Sequence, residues 1–67
     1  MKIVLNNREE TIEGETISFE ELMRYKNFTF KLLVTKLNGK TIPKQERETT
    51  YISNNDEVLI IHMISGG

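Results

Sequence analysis

The chain has no cysteine, and only one histidine and one proline among its 67 residues. Without cysteine there is no disulfide framework, and a single histidine leaves a structural zinc site without its usual ligands. Domains this short often lean on one of those supports. Here hydrogen-bonded secondary structure around one aliphatic core must suffice, in a single domain that buries only about 60% of its unfolded surface. A charge of one sign is missing too. Nine Lys and Arg stand against ten Asp and Glu, a net charge of -1, and no basic stripe interleaved with aromatics argues for nucleic acid. Long apolar runs are also absent. The longest, Val58-Leu59-Ile60-Ile61, has four residues, against the ~20 of a membrane span or the roughly 7–15 of a signal-peptide core. The expectation is a protein with no nucleic-acid or membrane partner, in the cytoplasm by default.

What is present is punctuation and periodicity. Lys2-Ile3-Val4-Leu5 is β-rich, Asn6-Asn7 tolerates positive φ, and Glu10-Thr11-Ile12-Glu13 alternates, which predicts a hairpin closed off at Gly14. In "SFEELMRYKN" the period changes: Phe19, Leu22 and Met23 form one helical stripe, Ser18 and Glu21 have capping-box spacing, and Asn27 marks the exit. Thr29-Phe30 favour extended chain. The run 33–37, the Asn38-Gly39 turn and Lys40-Thr41-Ile42 form a second hairpin, ended by Pro43. "KQERETT" is polar loop or a short helical turn, Tyr51-Ile52 is apolar enough to touch the core, and Asn54-Asn55-Asp56 turns into a last strand over 57–64. The order ββαββ(β) with one amphipathic helix is an α+β layer architecture.

Alternation along the last strand separates two faces. Val58, Ile60, His62 and Ile64 point one way; Leu59, Ile61 and Met63 point the other. If the first set faces the helix, the second forms an apolar patch of the kind that marks partner surfaces. Scattered surface hydrophobes, or a sheet covered on both sides, are the competing explanations. His62 has no nucleophile or second base at telling spacing and reads as a strand-end histidine. The three methionines read as core or patch filler. Glu9-Glu10 and Glu20-Glu21 read as solvated faces.

The strand runs into Ser65-Gly66-Gly67. A carboxylate on Gly67 is ionised at neutral pH and is a poor electrophile until activated, for instance as a mixed anhydride with a nucleotide. Glycines suit such a task, since they carry no Cβ and can thread a narrow channel. Four residues past Met63 reach at most ~13–14 Å at 3.3–3.6 Å each, far enough to enter a cleft while the domain docks outside it.

Three stretches, "MKIVLNN", "LNGKTIPK" and "NNDEVLIIHMISGG", resemble the ThiS family, the small ubiquitin-like sulfur carriers of thiamin biosynthesis. The resemblance spans nearly the whole chain. It departs from the family pattern at Lys44, where arginine is usual, in lacking an aromatic near Arg47, and at Asn55, where glycine is usual. Asparagine is the best substitute for glycine at a left-handed position.

The resemblance implies a β-grasp fold: a mixed four- to five-stranded sheet with one helix across it, a domain over 1–64 and a flexible tail over 65–67. It implies a carrier, monomeric by itself, rather than an enzyme. An adenylating enzyme similar to ubiquitin-activating enzymes would use ATP to form the acyl-adenylate of Gly67, with no cofactor bound to the carrier. Persulfide sulfur would turn that into a thiocarboxylate, which thiazole synthase would consume. Ile64, Ser65 and Gly66 would enter the partner's active site, and Leu59, Ile61 and Met63 would form the partner-binding patch. A sulfur carrier of molybdopterin synthesis, a ubiquitin-like protein modifier and an inert β-grasp module stay open beside this reading. Ser65 also occurs in the small subunit of molybdopterin synthase, although that relative has a longer chain and a proline-rich approach to its tail.

Overall fold

The computed structural model describes residues 1–28 and 33–62. Within them, the first hairpin pairs β1 (Lys2–Leu5) with β2 (Arg8–Thr11) through Asn6 at φ 50° and Asn7 at φ 68°. Two central residues with positive φ give the twist that a two-residue hairpin needs. The expected second strand over 10–13 therefore begins earlier, because a two-residue turn pairs Leu5 directly with Arg8. Ile12 falls just beyond the strand and is buried, and Gly14 follows at φ 94°.

A strand not foreseen from the sequence, β3 (Thr16–Ser18), leads into helix α1 (Phe19–Tyr25). Ser18 caps the helix by accepting the Glu21 N–H at 3.1 Å, worth about 0.5–2 kcal/mol. The capping box is only half formed. The Glu21 carboxylate accepts the Ser18 hydroxyl at 3.1 Å, while the Phe19 and Glu20 N–H groups find Thr50 O and Arg47 O. Phe19, Leu22 and Met23 are buried as their spacing predicts. At the exit Asn27 adopts φ 61°, with Phe28 N–H on Met23 O at 2.8 Å and Asn27 N–H on Arg24 O at 3.2 Å. That pair of bonds is a Schellman motif with asparagine in glycine's usual place. The expectation for Thr29-Phe30 lies outside the described residues.

Strands β4 (Leu33–Leu37) and β5 (Lys40–Ile42) form the second hairpin about Asn38 at φ 50° and Gly39 at φ 83°. A 3-10 turn over Lys44–Glu46 follows, then β6 (Tyr51–Ser53) and β7 (Glu57–His62). Five strands make a mixed sheet in the order β2-β1-β7-β4-β5, and β3 pairs with β6 in a separate two-stranded ribbon. Only β1 and β7 run parallel. This is the expected β-grasp architecture with an added ribbon.

Helix and sheet close over Ile3, Leu5, Ile12, Phe19, Leu22, Met23, Ile42, Ile52, Val58 and Ile60. Each fully buried aliphatic or aromatic side chain contributes roughly 1.5–3 kcal/mol. One expectation needs correction here. Tyr51 does not touch the core: it is 59% exposed, because alternation along β6 buries Ile52 and turns its neighbours outward. The polar "KQERETT" stretch forms the short helical turn, one of its two expected forms, and just beyond that turn buries Arg47, which donates to Thr35 Oγ1 at 3.2 Å and Leu33 O at 2.8 Å.

Candidate functional site: the outer sheet face and the root of the tail

β7 is the central strand, and its alternation creates the site. Val58 and Ile60 are buried against the helix side, so Glu57, Leu59 and Ile61 point to the opposite face. The register adds neighbours to them: Val34 lies opposite Ile61, and Lys36 lies opposite Leu59. From β1, Val4 joins the same face, because Ile3 and Leu5 on either side of it are core. Val4, Val34 and Leu59 are half-buried, and Ile61 is 46% exposed. Lys36 is also half-buried, directly opposite Leu59 in the register. The outcome is a mainly aliphatic strip over three adjacent strands, with Lys2, Glu9 and Glu57 around it.

Of the patch residues expected from the sequence, Leu59 and Ile61 are brought together on this face, next to Val34 and Val4. Met63 lies outside the described residues, as do the tail residues Ile64, Ser65, Gly66 and Gly67 and the boundary expected at 64/65. His62 is exposed at the end of β7, opposite Leu33.

Sequence reasoning missed the side chains that hold β7 in place. Asn6, taken as a turn residue alone, also puts its carboxamide on the Ile60 backbone: Nδ2 donates to Ile60 O at 3.1 Å, and the Ile60 N–H donates to Oδ1 at 2.9 Å. At the start of β7, Asn38 Oδ1 accepts the Glu57 N–H at 2.8 Å. The repeated asparagines at turns were the available signal. Their backbone role was legible, but the partners of their amides, more than fifty residues away for Asn6, were not.

Among the described residues no group of three or more His, Asp or Glu side chains is arranged to hold a metal ion. One open depression of about 350 Å³ is lined by Glu20, Lys44, Gln45 and Glu48, and another of about 320 Å³ by Thr11, Ile12, Glu13, Ile17 and Tyr25. Neither contains a residue of the outer face. No helix among the described residues is long and apolar enough to cross a membrane.

Residues 2–67 match the family model described as the ThiS family. The chain belongs to the ThiS family. Members of the ThiS family are small sulfur carriers and not catalysts themselves. A crystal structure of the thiamine biosynthesis protein ThiS from Geobacter metallireducens superposes with a TM-score of 0.90 at 22% identity, over all of both chains. A solution structure of a thiamine biosynthesis protein from the same organism gives 0.74 at 21% identity, over all of this chain and 88% of that one. These two share the fold. In sequence the chain is similar to the uncharacterized protein ycf40 of Trieres chinensis, 34% identical over 91% of this chain and 84% of that one. It is also similar to ycf40 of Porphyra purpurea, 30% identical over 81% of this chain and 76% of the relative.

Proposed function

We propose that this ThiS-family protein carries sulfur for thiazole formation in thiamin biosynthesis, as a thiocarboxylate on Gly67. One observation supports it above the others: β7, which presents Leu59 and Ile61 outward, ends at His62, and in the sequence only Met63, Ile64 and Ser65 separate it from Gly66-Gly67. A partner enzyme docked on the outer face thereby receives the tail at its own surface. In the first step a Gly67 carboxylate oxygen attacks the α-phosphorus of ATP in an activating enzyme. The products are the acyl-adenylate and pyrophosphate. In the second, a persulfide sulfur attacks the acyl carbon and AMP leaves. A second thiol then cleaves the acyl disulfide and releases the thiocarboxylate. Thiazole synthase is the acceptor in this reading, and ATP is consumed by the activating enzyme.

The carrier's own part is binding and presentation. The aliphatic strip loses water on docking, which drives association, and glycines 66 and 67 add no side chain to a narrow cleft. Intact-protein mass spectrometry tests the proposal. After incubation with activating enzyme, ATP and a sulfur donor, the chain should gain the mass difference between sulfur and oxygen. Exposure to thiazole synthase and its substrates should reverse it. A chain left unmodified by its own organism's activating enzyme would overturn the reading. A product that discharged only to molybdopterin synthase would redirect it to that pathway, and one found in isopeptide linkage to lysine would make the protein a modifier.

A further inference from the structure

β1 stops short of where its neighbour β7 ends, and β5 stops short of where its neighbour β4 begins; in each case a side chain takes the missing rung. Backbone groups of alternate residues along a strand point to opposite neighbours. On the β1 side the ladder runs through Val4 N–H to Asp56 O at 3.0 Å and Asn6 N–H to Val58 O at 2.9 Å. The next rung falls at Ile60, but the chain has already turned at Asn6-Asn7. The Asn6 carboxamide takes that rung instead. It turns one N–H donor and its oxygen acceptor to the strand, as a peptide unit does, donating to the Ile60 carbonyl and accepting the Ile60 N–H.

The other flank repeats the device one strand further out. β4 borders β7 as far as the Leu33–His62 pair. β5 borders β4 only as far as Thr35–Ile42, so the next rung would set Lys44 opposite Leu33. Pro43 and the 3-10 turn take the chain away before that. Arg47, 8% exposed, reaches back, and its Nη2 donates to Leu33 O at 2.8 Å while Nε donates to Thr35 Oγ1 at 3.2 Å. The Thr35 hydroxyl in turn donates to Ile42 O at 2.7 Å. The part-buried Leu33 carbonyl thereby gains the donor that a longer β5 would have supplied.

We propose that Asn6 and Arg47 are positioning residues for the carrier reaction. They substitute side chains for absent strand backbone, Asn6 at Ile60 of β7 and Arg47 at Leu33 of its neighbour β4, and so fix the end of the sheet, at His62, from which the rest of the chain is offered to a partner. The inference rests on the sulfur-carrier reading. Neither residue belongs to the aliphatic strip of the outer face, so their effect is expected in kcat rather than in KM. Their effect is on where the reacting end arrives, and misplacement by about 1 Å costs on the order of 10²-fold in rate.

The informative variant is Asn6→Gly, which keeps a residue suited to φ 50° and removes only the carboxamide. Asn7→Gly is the control, since Asn7 sits in the same turn at φ 68° and its side chain holds no hydrogen bond among the described residues. Arg47→Lys keeps the charge but loses the fork that spans Leu33 O and Thr35 Oγ1, and provides an arm independent of the hairpin. Steady-state adenylation with the activating enzyme, below the thermal transition of every variant, should show kcat lowered about 3–10-fold by Asn6→Gly and by Arg47→Lys, with KM within roughly twofold. Asn7→Gly should match the wild type. Hydrogen exchange at the Ile60 amide should quicken on the order of tenfold in Asn6→Gly alone. Wild-type kcat in both Asn6→Gly and Arg47→Lys, with exchange at Ile60 accelerated in Asn6→Gly, would overturn the positioning role and leave the carrier reading intact. So would a loss that merely follows the unfolded fraction. A wild type that is not adenylated would overturn the carrier reading and the positioning role with it.

Discussion

Asn38 and Asp56 meet across the end of the sheet, with Asn38 Nδ2 donating to Asp56 Oδ1 at 3.1 Å. The contact joins the β4–β5 turn to the turn that launches β7. The same carboxylate accepts the Ser53 N–H on Oδ2 at 2.9 Å, and Asn38 Oδ1 accepts the Glu57 N–H at 2.8 Å. Two turns distant in sequence therefore fix the start of the strand that carries the outer face. Asp56→Ala removes acceptors from one backbone donor and one amide and should cost about 1–2 kcal/mol. Asp56→Asn, which keeps an acceptor oxygen, should cost less. Urea unfolding at unchanged m-value checks both, and an Asp56→Ala midpoint equal to wild type would show that the link contributes nothing.

Asn55, where the family usually has glycine, sits at φ 71° and gives its N–H to Lys2 O at 2.7 Å. Asn55→Gly relieves the left-handed strain at the cost of chain entropy and should leave stability within about 0.5 kcal/mol. Asn55→Ala has no such compensation and should lose about 1–2 kcal/mol. Thermal unfolding of the pair gives the difference directly.

Neighbouring residues of β7 should respond in opposite ways. Ile60 is 3% exposed, and Ile60→Ala should cost about 2–4 kcal/mol through lost burial and the cavity left behind. Ile61, 46% exposed, should accept arginine within about 0.5 kcal/mol. Ile61→Arg should nevertheless weaken binding to the activating enzyme on the order of tenfold, the effect of about 1.4 kcal/mol at an interface. Calorimetric titration and chemical denaturation of the two variants separate docking from folding. Unaltered affinity in Ile61→Arg would remove the outer face from the docking surface.

Gly67 should behave as a purely chemical position. No residue of the described core lies beyond Ile60 in the chain. Deleting Gly67, or adding one residue after it, should leave the thermal transition unchanged and abolish thiocarboxylate formation. Either change displaces the carboxylate by ~3.3–3.6 Å from the nucleotide. Conversion of the shortened chain, read by intact mass, would show that the tail is not the reacting group.

Much of this molecule is determined locally and is therefore legible in its sequence. Asn6-Asn7, Asn38-Gly39 and Asn55 mark positive-φ turns because few other residues adopt that backbone cheaply. Phe19, Leu22 and Met23 mark the buried helical stripe, and the alternation of Val58-Leu59-Ile60-Ile61 separates core from outer face once one side is assigned. Tertiary structure alone decided the rest. Whether Tyr51 or Ile52 would be buried depended on β6 pairing with a three-residue β3 too short to announce itself. Arg47 looked like one charge in a polar loop, and it became buried because β5 ends before it can pair with the Leu33 carbonyl. Asn6 finds Ile60 only after the parallel pairing of β1 with β7 closes a separation of 54 residues. Propensity and periodicity act over a few residues, whereas the satisfaction of a buried carbonyl or amide depends on which segments the fold has brought together.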